Sequence, residues 1–270
     1  MKMSRIKDKF RELKRKKQKA LIAYVVAGYP NEKGTISVVR GLVKGGADII
    51  ELGLPFSDPL ADGPVIQNAS YLALKNGMNF AKFINQVKRI RKETQIPLVL
   101  MTYSNLLYRH GYYKFLSMVK EAGIDGLILP DMALEESKDF LLAAHSNGID
   151  TIFLISPNTS PQRIRKIADI SSGFLYLVSV FGTTGIQQQF QRYTSDAIKN
   201  AKKIIHGKIP LGVGFGVSNP DQAKVILQNG ADAIIVGSAF LRLIEKTSQE
   251  KIEAKIMLFA KNLKKATISK

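Results

Sequence analysis

The sequence predicts an α/β fold, a single (β/α)8 barrel over residues 1–270 with a basic N-terminal helix within residues 1–19 capping it. Three observations predict it. Eight short apolar runs rich in β-branched residues recur along the chain, helical patterns lie between them, and glycines stand where those helices must stop and turn back. The length of 270 residues fits, because barrels of this kind reach ~250 residues as one unit.

The first run, Ala20–Val26, follows a segment from Lys2 to Lys19 crowded with basic residues. Ile6, Phe10 and Leu13 fall there at helical spacing, with Asp8 and Glu12 among the cations. The segment therefore reads as an amphipathic helix with a solvated basic face rather than a nucleic-acid arm. A transit peptide would be rich in serine and poor in acids, whereas Ser4 is the one serine here. A helical pattern over Thr35–Val43 leads through Gly45-Gly46 into the second run, Ile49–Leu52. Ala81–Lys92 precedes the third, Leu98–Tyr103, and Tyr113–Ala122 with Gly123 precedes the fourth, Gly126–Leu129. Glu135–His145 and Gly148 lead to the fifth, Thr151–Ser156, and Pro161–Asp169 to the sixth, Phe174–Val178. Ser195–Ile205 precedes the seventh, Leu211–Gly214. Pro220–Gln228 with Gly230 precedes the eighth, Ala233–Val236. Gly46-Ala47-Asp48-Ile49-Ile50 and Gly230-Ala231-Asp232-Ala233-Ile234 repeat one return turn. An open doubly wound sheet usually carries fewer strands, and Gly28-Tyr29-Pro30 after the first run is no dinucleotide fingerprint.

Composition narrows the function classes. Hydrophobic residues make up 45% and charged residues 23% of the chain, an ordinary globular balance. No apolar run approaches the ~20 residues of a membrane span, and the net charge of +18 comes without a recognised nucleic-acid module. Cysteine is absent, which removes disulfides and thiolate chemistry and favours a reducing compartment. The cytoplasm is the expected location, with the plastid stroma as the alternative. His110, His145 and His206 are scattered, so no metal site is expected.

In a (β/α)8 barrel the loops after the strands form the active face. Glu51 ends the second run, an ionisable group at the top of an apolar strand. Burial there would raise its pKa toward neutrality, as a general acid/base needs, unless a lysine simply pairs with it. The next loop, Gly53 to Pro64, holds three prolines and the carboxylates Asp58 and Asp62, between which spacing cannot choose. A phosphate site is expected where the seventh run ends in Gly214-Phe215-Gly216 and the eighth in Gly237-Ser238. Glycines there admit the phosphate to backbone amides and to the Ser238 hydroxyl at a helix start. Phe181-Gly182-Thr183-Thr184-Gly185 after the sixth run reads as a lid.

The run Glu51-Leu52-Gly53, then Pro55 to Pro64 and Gln67-Asn68-Ala69, resembles the tryptophan synthase alpha subunit family. So do Met101-Thr102-Tyr103-Ser104-Asn105, Leu129-Pro130-Asp131, Tyr176-Leu177-Val178-Ser179 and Val236-Gly237-Ser238-Ala239. The resemblance implies a TIM barrel lyase splitting indole-3-glycerol phosphate into indole and glyceraldehyde 3-phosphate, with no cofactor in this chain. It implies Glu51 as the proton-transfer group and Asp62 as the carboxylate facing the ring nitrogen. Tyr24, Tyr103, Tyr176 and Phe215 then lie near the indole, and Thr184, Gly185, Gly216, Gly237 and Ser238 hold the phosphate. It further implies a pyridoxal-phosphate beta subunit in an α2β2 assembly, met by Pro55, Asp58, Pro59, Asn105 and Asp131. Ala133 and Gln187 depart from the family's usual proline and arginine, which bears on coupling to that partner. A sugar-phosphate isomerase, an indole-glycerol phosphate synthase and a non-catalytic activator are the competing readings. The synthase would want a lysine near the first strands, and none stands at Tyr24–Val26 or Ile49–Leu52.

Overall fold

Parallel strands covered by helices bury both faces, and the apolar runs meet that demand. In the computed structural model, which describes residues 4–178 and 187–268, the runs form parallel strands in chain order. The strands are Ala20–Val26, Ile49–Gly53, Leu98–Met101, Gly126–Ile128, Asp150–Ile152 with Leu154–Ile155, Leu175–Val178, Leu211–Gly214 and Ala233–Val236. The last pairs back onto the first, with Ala233 opposite Ala20, and a closed ring results.

The fifth strand differs from the single run expected over Thr151–Ser156. It begins at Asp150, is broken at Phe153 and ends at Ile155. Its first half pairs with the fourth strand and its second half with the sixth. The Phe153 carbonyl still accepts from the Tyr176 amide at 3.0 Å, so the ladder continues across the break.

Alternate residues point inward. Ile22, Ile49, Val99, Ile128, Ile152, Phe174, Ala233 and Ile235 fill the lower barrel. The N-terminal helix, Arg5–Arg15, closes its floor with Ile6, Phe10 and Leu13, and Phe10 lies 6.1 Å from Phe174. The Ser4 hydroxyl caps the helix by accepting from the amides of Ile6 and Lys7, and it also donates to Asp150. Arg5 pairs with Asp125 at 2.7 Å. The helix is shorter than residues 1–19 because Lys16 caps it and Lys17 turns to a positive φ of 54°.

The expected helices appear with ends moved by a few residues, except that Gln187–Ile205 begins eight residues before Ser195. Glu135 falls in a short 3-10 turn ahead of Lys138–Asn147. Pro64–Lys75, Ser104–His110 and Ile252–Lys265 went unanticipated. Pro64–Lys75 buries only the small residues Ala69, Ser70 and Ala73, which give almost no hydrophobic periodicity.

Candidate active site

The inward alternation that builds the floor also chooses what stands at the mouth. Tyr24 lies opposite Glu51, and Glu51 opposite Val99, so both side chains point into the barrel. Tyr176, two residues beyond Phe174, joins them from the sixth strand. Room for the two rings comes from inward glycines on neighbouring strands. A Cβ on Gly53 would lie 2.3 Å from the Tyr24 hydroxyl, and one on Gly214 would lie 2.6 Å from that of Tyr176.

Glu51 is fully buried, and among the described residues neither carboxylate oxygen has a hydrogen-bond partner. Burial alone pushes its carboxyl up to about 8, so it holds its proton at neutral pH. Asp62 is half-buried in the loop after the second strand. Burial pushes it up to about 6, against a hydrogen bond from the Tyr103 hydroxyl at 3.3 Å that pulls it down. The Tyr103 hydroxyl also accepts from the Ala61 amide at 3.2 Å, and its ring lies 5.0 Å from that of Phe56. Burial drives the hydroxyls of Tyr24 and Tyr176 well above the ordinary tyrosine range, and the charges of Asp62 and Glu51 push both further. Two tyrosines on different strands thus feel both carboxylates, so the four groups share the same end of the barrel. Asp58 is exposed, and its carboxylate accepts from the neighbouring Ser57 hydroxyl at 2.5 Å.

Phe215 is buried after the seventh strand, and Gly216 beyond it is exposed with a φ of 66°. Helix Ser238–Glu245 starts straight after the eighth strand without a side-chain cap among the described residues. Its first amides have no intrahelical partner and stand just beyond the C-terminal end of the eighth strand, the kind of place where an anion can bind. Gly237 also flanks Tyr24, since a Cβ there would lie 3.1 Å from Tyr24 Cδ1. Thr184 and Gly185, with the rest of the expected lid, lie outside the described residues. No group of three or more histidine, aspartate or glutamate residues among those described could hold a metal ion.

Comparison with known proteins decides the family. A family model described as "Tryptophan synthase alpha chain" matches residues 10–268. The chain is 47% identical over 252 residues to the tryptophan synthase alpha chain of Methanosarcina acetivorans, spanning 93% of this chain and 90% of that one. It is 42% identical over 264 residues to that of Petrotoga mobilis, spanning 97% and 99%. A tryptophan synthase complex from Pyrococcus furiosus contains a chain of like fold, with TM-score 0.84, 36% identity, and 91% and 98% coverage. This chain belongs to the tryptophan synthase alpha chain family. It is accordingly a lyase-type enzyme of tryptophan biosynthesis.

The residues matched to the tryptophan synthase alpha family's partner surface lie on the same end of the barrel. Asp58, Asn105 and Asp131 are exposed and Pro59 is half-buried, whereas Pro55 is buried and shapes the loop from within. Sequence reasoning passed over Leu60, which is 93% exposed on this loop. It also passed over Ser104, whose amide and hydroxyl both donate to Asp131, at 3.0 and 2.6 Å. Neither was singled out by itself, although Leu60 lies in the proline-rich loop and Ser104 in the run Met101 to Asn105, both of which carry the family resemblance.

Proposed function

We propose that this chain cleaves indole-3-glycerol phosphate to indole and glyceraldehyde 3-phosphate, with Glu51 transferring protons and Asp62 stabilising the ring nitrogen. Indole C3 cannot leave as a bare carbanion. The ring must first be protonated at C3, which draws the nitrogen lone pair into the ring and leaves positive character on N–H. The adjacent glycerol hydroxyl then loses its proton, the electron pair of the O–H bond forms the aldehyde C=O, the C–C bond breaks, and its electrons return to the ring and neutralise the nitrogen.

The single observation that carries this reading is the separation of the two carboxyls, about 8 for Glu51 and about 6 for Asp62. Groups at one site whose environments push them apart divide into acid and base. Glu51 is protonated at neutral pH and can give a proton to C3, and once ionised it can take the hydroxyl proton. Asp62 is then ionised and faces the developing cation. Tyr24, Tyr103, Tyr176 and Phe215 supply flat walls for the indole. The open amides at Ser238, with Gly216, Gly237, Thr184 and Gly185, would take the phosphate.

We also take the chain as one barrel domain that docks a beta subunit. The beta subunit would carry pyridoxal phosphate, and the exposed Leu60, Asp58, Asn105 and Asp131, with the half-buried Pro59, would face it. A contact surface is the ordinary use of an exposed apolar side chain on a stiff loop. Support comes from the related Pyrococcus furiosus chain, whose structure is of an α2β2 complex. The test is to incubate the purified chain with indole-3-glycerol phosphate, with and without a beta subunit, and to assay indole. Release in both, faster with the beta subunit, is expected; no release in either overturns the reading.

A further inference from the structure

We propose that Asp131 is a positioning residue for this reaction, which by gripping Ser104 fixes Tyr103 and through Tyr103 the carboxylate of Asp62. The inference rests on the role given to Asp62 above. Asp131 follows the fourth strand, and both its oxygens lie 3.0 Å from the Ser104 amide, while one accepts from the Ser104 hydroxyl at 2.6 Å. That carboxylate therefore caps helix Ser104–His110, whose own N-cap residue, Tyr103, offers no side-chain cap. Ser104 and Tyr103 are adjacent, so the backbone that Asp131 holds is the backbone from which the Tyr103 ring projects.

At the far end of that ring the hydroxyl meets Asp62 at 3.3 Å and the Ala61 amide at 3.2 Å. The ring itself is almost wholly buried beside Phe56 and has little freedom of its own. The chain Asp131–Ser104–Tyr103–Asp62 thus joins a carboxylate on the exposed rim to one in the reaction chamber. The 3.3 Å bond lies at the long end of the hydrogen-bond range, where a displacement of tenths of an ångström breaks it. A partner docking on Asp131 would act on Asp62 through the same chain.

The consequence is electrostatic. Among the described residues, Tyr24, Tyr103 and Tyr176 feel the charge of Asp62, Glu51 stands among them, and Asp131 acts on Tyr103 from outside. The bond from Tyr103 is what holds Asp62 down against burial. Losing it should raise Asp62 further and shrink its ionised fraction at neutral pH.

The test is a carbon-13 NMR titration of Asp62 in the free chain, assigned by its disappearance in Asp62→Asn. Tyr103→Phe should raise the Asp62 midpoint by on the order of one pH unit. Asp131→Asn should raise it in the same direction, and the double variant no further than Tyr103→Phe alone. Ser104→Ala, which keeps the amide bonds and removes only the hydroxyl, should give a smaller rise, and Ser104→Thr should restore the midpoint. An unmoved midpoint in Asp131→Asn, or an equal rise with and without the Tyr103 hydroxyl, overturns the proposal. The titration does not depend on whether Asp62 acts in the reaction. A pH profile of turnover whose acidic limb survives in Asp62→Asn would instead refute the role of Asp62.

Discussion

Replacing Glu51 by glutamine should make the protein more stable as the pH rises, while it disables the reaction. Below pH 4.5, the ordinary value, the carboxyl is protonated whether the chain is folded or not, and it costs the fold nothing. Above that value the unfolded chain gains free energy by ionising, whereas the folded chain keeps the proton until about 8. The fold therefore loses stability across this window, at about 1.4 kcal/mol per pH unit. Between pH 5 and pH 8 the penalty grows by about 3–4 kcal/mol, and Glu51→Gln escapes it. For a chain of this size that corresponds to a Tm difference widening by about 6–15 °C. An unpaired buried amide has its own cost, but that cost does not vary with pH, so the change in the gap is diagnostic. Thermal unfolding of both proteins at several pH values reads it directly. Parallel stability curves would mean that Glu51 ionises normally in the fold, and the argument for it as the acid would fail.

Asp62→Asn should lower turnover by ~10²–10³, the scale of one lost charge-stabilising group, and leave phosphate binding intact. On an N-methylated substrate the wild-type advantage over that variant should largely vanish, and an unchanged ratio would leave Asp62 as a loop-ordering residue. Gly237→Val should weaken calorimetric binding of glyceraldehyde 3-phosphate far more than that of indole, because the branched side chain blocks the amides at Ser238. Equal losses would point to the crowding of Tyr24 instead. Asp125→Ala should destabilise the fold by about 3–5 kcal/mol in denaturant unfolding, since it leaves the mostly buried Arg91 without its carboxylate, with only backbone carbonyls to accept from it. Asp125 also accepts from Arg5 and from the Leu98 amide, so a loss below about 1 kcal/mol would deny it this role.

The barrel was legible because burial on both faces writes parallel strands as apolar runs, and the helices between them keep their periodicity. The break at Phe153 was not, since half-strands facing different neighbours have the same composition as one strand. Glu51 was legible as an acid inside an apolar run. Asp58 and Asp62 could not be told apart by spacing; what separates them is contact with Tyr103, which lies 41 residues away from Asp62. Only the family resemblance singled out Tyr24 and Tyr176 in the sequence, whereas in the fold register sets both rings over glycines on adjacent strands. Ser104 and Asp131 each stand in a run that carries the family resemblance, but their pairing was not legible, because hydrogen bonds between successive loops have no sequence period.

The claim at the centre of this account is that a buried, protonated Glu51 moves the protons that cleave the substrate. Turnover of saturating indole-3-glycerol phosphate by wild type and by Glu51→Gln, with substrate binding measured on both, tests it most directly. Binding should survive and indole release should fall by at least ~10², the usual contribution of general acid/base catalysis. A variant that binds substrate normally and keeps more than about a tenth of the activity would contradict the claim.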